Sequence, residues 1–352
     1  MRAAAFPALA MVLLIAACGG AAAPTASSSQ QAAAKPSASA SVAASAPAAK
    51  EKIAIAYTSF TLDQLSAMVA KEQGFFEQNG LDADVVSIGA GSQPNAALMS
   101  NQIQSYEGGP EVVAASLAGA DLEFIGAVDT AFLFWLYSIP SVTTAADLKG
   151  KQIAVTSLTS STYTAAKIGV RSLKLDPEKD VFYTAVNNPP AIFAAMQNGA
   201  AQAGSIGSTN IVQVRKAGYH MLVDIASLGV PYPAGWYAVS KKWANAHEDT
   251  VQRMMRSIVQ AVPFMLKEPA ATQKILAKYS KNEDQEFLTG VYDLVSPHLN
   301  KAPYADVRGV KLVLDELSTS NPAAKTADPN AFVDNHWVKS LDDSGYIASL
   351  YK

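Results

Sequence analysis

The stretch KIAIAYTSFTLDQLSAMVAKEQG, Lys52 to Gly74, decides how the rest of the chain is read. Ile53 to Tyr57 has the apolar character of a strand. After Thr58-Ser59-Phe60 the apolar spacing changes to Leu62, Leu65, Met68 and Val69, one face of a helix. Thr61 and Gln64 are spaced as a capping box, and Gly74 stands where a helix stops. A strand that passes through a short hydroxyl-bearing turn into a helix is the unit from which parallel α/β layers with right-handed crossovers are built.

The unit recurs downstream. Asp84 to Ile88 reads as a strand, Gly89 to Gln93 as a turn and Pro94 to Ser100 as a short helix. Tyr106 to Gly109 leads into an apolar helix from Pro110 to Leu117, and Leu122 to Ile125 is again strand-like. The rotation restarts at Gln152 to Thr156, with a polar loop to Ser161 and a helical face of Tyr163, Ala166, Val170 and Leu173. Val181 to Val186 is followed by a helix from Pro190 to Gln197 that stops at Gly199, and Gln202 to Ile206 runs into Gly207 to Asn210. Beyond Tyr237 the pattern is mostly helical. Its methionine-bearing stripe, Met254, Met255, Ile258, Val259 and Val262, has the spacing of a core face.

Upstream of Lys52 the chain has a different character. Met1-Arg2, a brief apolar run and Ile15-Ala16-Ala17-Cys18 form an export signal whose apolar part is too short to span a bilayer. Cys18 is the only cysteine of the 352 residues, and its context resembles a bacterial lipobox. That implies cleavage after residue 17 and lipidation of Cys18. Residues 18–50, rich in Ala, Ser and Pro, cannot bury enough apolar area to offset ordering, so they are expected to form a tether. The processed chain then needs no disulfide. A formal net charge of −3 without a basic run excludes a nucleic-acid partner.

In open sheets ligands sit beyond the carboxyl ends of strands, where the first amides of helices lack internal partners. Four junctions have that form: YTSFT, SIGAGSQPN, TSLTSST and SIGSTN. They nominate Ser59, Phe60, Ser92, Gln93, Ser160, Ser161, Thr162 and Ser208 as ligand-binding residues. At any one junction, ordinary helix capping accounts for the same residues. Tyr106, Glu107, Asp129 and Trp236 are added as loop-end acids and aromatics facing the same cleft. If the two acids line it, the ligand carries a donor or a positive group. The four histidines are dispersed, and neither a metal-ligand spacing nor a GxSxG, Walker or GxGxxG motif is present. No metal, cofactor or catalytic residue is expected.

Within Ile53 to about Tyr237, the segments KEQGFFEQNGLDADVV (Lys71 to Val86), AADLKGKQIAV (Ala145 to Val155), SLTSST and AMQNGAAQAGSI (Ala195 to Ile206) carry a family likeness. The chain resembles the solute-binding proteins of ABC importers for nitrate, sulfonates, taurine and thiamine-precursor pyrimidines. The resemblance implies an α/β, periplasmic-binding-protein-like (type II) fold: two parallel-sheet lobes joined by a hinge, with the ligand cleft between them. By that analogy residues 52–140 and 226–352 form the first lobe and residues 141–225 the second. Ser59, Phe60, Ser92, Gln93, Glu107 and Asp129 would then hold ligand from one side, Ser160, Ser161, Thr162 and Ser208 from the other, with Trp236 as a cover. The implied partners are a small-molecule ligand, an ABC permease and its ATPase, with the chain monomeric and membrane-attached only through its lipid. Sulfonate, nitrate, aromatic acid and aminopyrimidine all remain open as ligands. A sensor that signals to a membrane kinase is an alternative, and so is a pyrimidine-synthase-like enzyme. The enzymes of that type carry a cysteine-rich motif that is missing here.

Overall fold

The computed structural model describes residues 50–89, 92–158 and 160–352. Cys18, the leader and nearly all of the expected tether lie outside them. Among the described residues, ten strands form two five-stranded sheets. The first contains β1 (Glu51–Tyr57), β2 (Leu81–Ser87), β3 (Ser105–Gly108), β4 (Leu122–Gly126) and β10 (Trp236–Ser240). The second contains β5 (Phe134–Ser138), β6 (Gln152–Val155), β7 (Phe182–Ala185), β8 (Ala203–Gly207) and β9 (His220–Asp224). Their orders, β2-β1-β3-β10-β4 and β7-β6-β8-β5-β9, have the same layout.

Both sheets are mixed. The three strands of each sheet that come from strand–turn–helix units are parallel: β1 with β2 and β3, and β6 with β7 and β8. The strand that enters each sheet after a crossing from the other one, β10 or β5, runs antiparallel to both of its neighbours. The physical reason is the connection. A helix returns the chain to the same edge and restores its direction, whereas a direct crossing does not. The expected boundary near residue 140 also places Phe134–Ser138 in the first lobe, but that strand pairs with β8 and β9. Trp135, Leu136 and Tyr137 are all buried, which requires a neighbour on each edge and cover on each face.

The opening stretch shows why the layers hold. Ile53, Ile55 and Tyr57 enter one apolar cluster with Leu65, Met68 and Val69 of the following helical segment, while Ala56 belongs to a second cluster. The helix Glu248–Lys267 lays Met254, Met255, Ile258, Val259 and Val262 in the first cluster, all fully buried. Each such side chain contributes roughly 1.5–3 kcal/mol relative to exposure. Gly74 adopts the left-handed conformation expected of a stop (φ 70°). The capping box does not form. The segment starts as a 3-10 turn at Leu62–Gln64 without a side-chain cap from Thr61, because Gln64 turns back to the end of β1.

The chain crosses between the sheets twice, between β4 and β5 and between β9 and β10. The crossings run side by side. Ala131 and Pro231 form an antiparallel bridge, and the Tyr232 amide donates to the Thr130 carbonyl at 3.0 Å.

Candidate functional site

The carboxyl ends of β1, β3, β6, β7 and β8 and the two crossings enclose a cleft of about 480 Å³. From the first sheet come Thr58, Ser59, Thr61, Asp63 and Gln64 after β1, and Gly108, Gly109 and Glu111 around the start of the helix Pro110–Leu117. From the second come Thr156, Ser161, Thr162, Asn187, Gly207 and Ser208. Leu133, Phe134 and Tyr232 form the wall at the crossings. Phe134 and Tyr232 both pack on Phe132, edge-on at 5.1 Å and stacked at 4.0 Å, so their rings are held in place. Asn187 has φ 71°, a left-handed conformation that asparagine tolerates better than most residues.

Three of the four expected junctions, YTSFT, TSLTSST and SIGSTN, reach this cleft, and several of the amides there are already bonded. Gln64 Oε1 accepts from the Thr58 and Ser59 amides, both at 3.0 Å. Glu111 Oε1 accepts from the Gly109 amide at 2.8 Å. Across the cleft, Thr162 Oγ1 accepts from the Thr156 amide at 2.8 Å, and Ser160 Oγ from the Ser157 amide at 3.2 Å. Side chains of the protein thus take several of the strand-end donors on which an anion could sit.

Of the residues nominated from sequence, Ser59, Ser161, Thr162 and Ser208 line the cleft together. Ser160 lies one residue away and is held by Ser157 and Thr162. Phe60 is outside the lining, exposed and edge-on to Tyr57. Ser92 and Gln93 are exposed and also outside it. Four expectations are corrected. Trp236 covers nothing, because it is fully buried beneath Gly309 with its ring edge-on to Phe124 at 5.3 Å. Tyr106 is buried with its hydroxyl 2.6 Å from Asn95 Oδ1 and 3.2 Å from Glu111 Oε1, supporting the cleft from behind. Glu107 and Asp129 are buried inside the first lobe. Glu107 accepts from Tyr237 at 2.8 Å and Ser66 at 3.3 Å, since all four residues of β3 are covered on both faces.

The carboxyls that do reach the cleft are Asp63 and Glu111, which the sequence reading missed. An acid in the first turn of a helix looks like a partner of the helix dipole; the remaining signal was that Asp63 falls among the apolar residues Leu62 and Leu65. Asp63 is 6% exposed, and burial pushes its carboxyl up to about 6. Burial also raises Glu111. Behind Asp63, burial and mutual repulsion raise Glu107 and Asp129 well above the carboxylate range. Glu107 Oε2 and both Asp129 carboxylate oxygens are buried without a hydrogen-bond partner. No lysine, arginine or histidine lines the cleft among the described residues.

Comparison with solved structures places this geometry. The aliphatic sulphonate binding protein SsuA from Escherichia coli is similar at a TM-score of 0.66 and 20% identity, covering 80% of this chain and 97% of that one. The alkanesulfonate-binding protein SsuA from Xanthomonas axonopodis pv. citri, bound to MOPS, gives 0.61 and 22%, covering 82% and 99%. The nitrate-binding protein NrtA from Synechocystis PCC 6803 gives 0.63 and 11%, covering 86% and 91%. At such identities the likeness concerns the fold, which is that of the periplasmic binding proteins. No curated protein matches the chain significantly. The family model of the NMT1/THI5-like proteins matches residues 63–272, from the first turn after β1 through both sheets, and the chain belongs to that family.

Proposed function

We propose that the chain is an exported, lipid-anchored solute receptor of an ABC importer, which captures a small organic nitrogen or sulfur compound by lobe closure and hands it to a permease. The observation that carries this reading is a cleft lined from the strand ends of both sheets beside the two crossings. Ligand contacts made from both sides at once lower the energy of the closed arrangement relative to the open one, and a permease can recognise that shape. The lobes that approach each other are taken as the two sheets with their helices, hinged at residues 127–133 and 225–235. Ser59, Ser161, Thr162 and Ser208 are proposed as ligand contacts. Binding rather than catalysis is favoured by a lining of hydroxyls, carboxamides and carboxyls without cysteine or histidine.

Small-angle scattering tests closure. The protein should contract when its ligand is added, and a ligand that binds without contraction refutes the mechanism. Export and anchoring are tested by fatty-acid labelling, which should mark the wild type and not Cys18→Ser; equal labelling of both removes the anchor. Import is distinguished from sensing by the genes beside its own, permease and ATPase in one case and a kinase in the other.

A further inference from the structure

We propose that the cleft selects an amine- or amidine-bearing organic solute, whose basic nitrogen sits against Asp63 and Glu111, over a sulfonate, carboxylate or nitrate. This rests on the solute-receptor reading and names its ligand class.

Three observations converge. First, among the described residues the cleft offers a negative ligand no cation, its charged lining residues being Asp63 and Glu111. An oxyanion leaving water for this site would find neutral hydroxyl and carboxamide donors but no opposite charge, beside two acid side chains. Second, several of the amides that could serve an anion at strand ends are occupied. Those of Thr58 and Ser59 are held by Gln64, that of Gly109 by Glu111 and that of Thr156 by Thr162. Third, nothing behind the cleft neutralises Asp63. The charged groups that face it are Glu107 from β3 and Asp129 from the crossing after β4, both acidic, while its hydrogen-bond donors are the neutral Thr61 hydroxyl and its own amide; Glu111 is the other acid of the lining. The helix Gln285–Val295, packed against the same turn, buries Leu288 and Val291, and the helix Ser66–Glu72 brings Ser66. The unpartnered oxygens of Glu107 and Asp129 show that the interior behind Asp63 is short of donors. A protonated amine or an amidinium supplies charge and donors together. Phe134 and Tyr232, both ring faces or edges fixed by Phe132, fit a flat or aliphatic body beside that group.

The test uses the full chain with compound pairs that share a skeleton: benzylamine with phenylmethanesulfonate, benzamidine with benzoate, and sodium nitrate alone. Small molecules that co-purify with the protein from its own cells are identified by mass spectrometry. The nitrogen member of a pair, or a co-purified basic compound, should bind more tightly than any anion. Its binding should release protons in weakly buffered solution near pH 6, because a cation beside Asp63 favours the ionised carboxyl. Asp63→Asn should weaken it at least about thirty-fold, the lower end for removing one partner of a buried charge pair, and Glu111→Gln should weaken it on the order of tenfold. Tighter binding of an anion, or a co-purified compound without a basic nitrogen, overturns the ligand class and leaves the receptor standing. Amine binding that survives both substitutions, or that takes up protons, overturns the role of these carboxyls. A protein that holds no compound from cells or panel overturns the class and the receptor reading together.

Discussion

Asp63→Asn should make the unliganded protein more stable at neutral pH even as it weakens binding of the amine ligand proposed above. The side chain is 6% exposed and its carboxyl, ordinarily near 3.8, is pushed up to about 6 by burial. Below pH 3.8 folded and unfolded chains both carry the proton, and the carboxyl costs nothing. Between 3.8 and about 6 the folded state binds more protons, so stability falls as pH rises; above about 6 the whole cost is present. The gap of about two decades of proton affinity, at 1.36 kcal/mol each, amounts to about 3 kcal/mol. At roughly 2 °C per kcal/mol for a chain this size, melting at pH 8 should rise by about 6 °C in the variant. Melts of both proteins at one-unit steps from pH 4 to 8 read this out. The curves should meet near pH 4 and diverge upward, with a residual slope in the variant from Glu107 and Asp129. A variant whose melting temperature parallels the wild type at every pH refutes the argument, because the carboxyl would then be ionised at no cost.

Three further outcomes follow from the packing. A Cβ on Gly204 would lie 2.6 Å from Ile192 Cγ2 and 2.7 Å from Met196 Sδ, so Gly204→Val should cost about 1–3 kcal/mol, read as a lower urea midpoint. Ser208→Trp fills the cleft from the second sheet, and should abolish ligand-induced melting shifts without changing the far-ultraviolet circular dichroism. Thr162→Val removes the acceptor of the Thr156 amide, which lies 2.8 Å away; it should cost about 1–2 kcal/mol and accelerate hydrogen exchange at that amide.

The strand–turn–helix units were legible because each writes two periods side by side, as in Ile53–Tyr57 followed by Leu62, Leu65, Met68 and Val69. The helix Pro110–Leu117 was placed to the residue. What escaped were β5 and β10, which follow a crossing and have no α-helix directly before them, and β9, which follows only the short helix Ile211–Lys216. Their aromatic content reads equally well as packing, and only long-range pairing assigns them to a sheet. At the site, the hydroxyl-bearing junctions were legible as places where a chain leaves amides unbonded. Whether a nearby side chain then takes those amides depends on rotamers of Gln64, Glu111 and Thr162, which local pattern does not encode. The same limit misplaced Glu107 and Asp129. A charged residue at a strand end looks solvated, and the neighbours that bury it here, Ser66 and Tyr237, are 41 and 130 positions away from Glu107.

The doubled crossing has a mechanical corollary. One strand of polypeptide between two bodies is a tether that permits twist, tilt and swing. Two strands bonded to each other, through the Tyr232 amide on the Thr130 carbonyl, resist twist and leave swing as the soft coordinate. Gln64 Nε2 also reaches the Ala234 carbonyl at 3.2 Å, so the end of β1 is fastened to the axle itself. If the chain is the solute receptor proposed above, the occupant of the cavity would be translated into a single angle, a quantity that a docking protein could gauge from outside without touching the occupant.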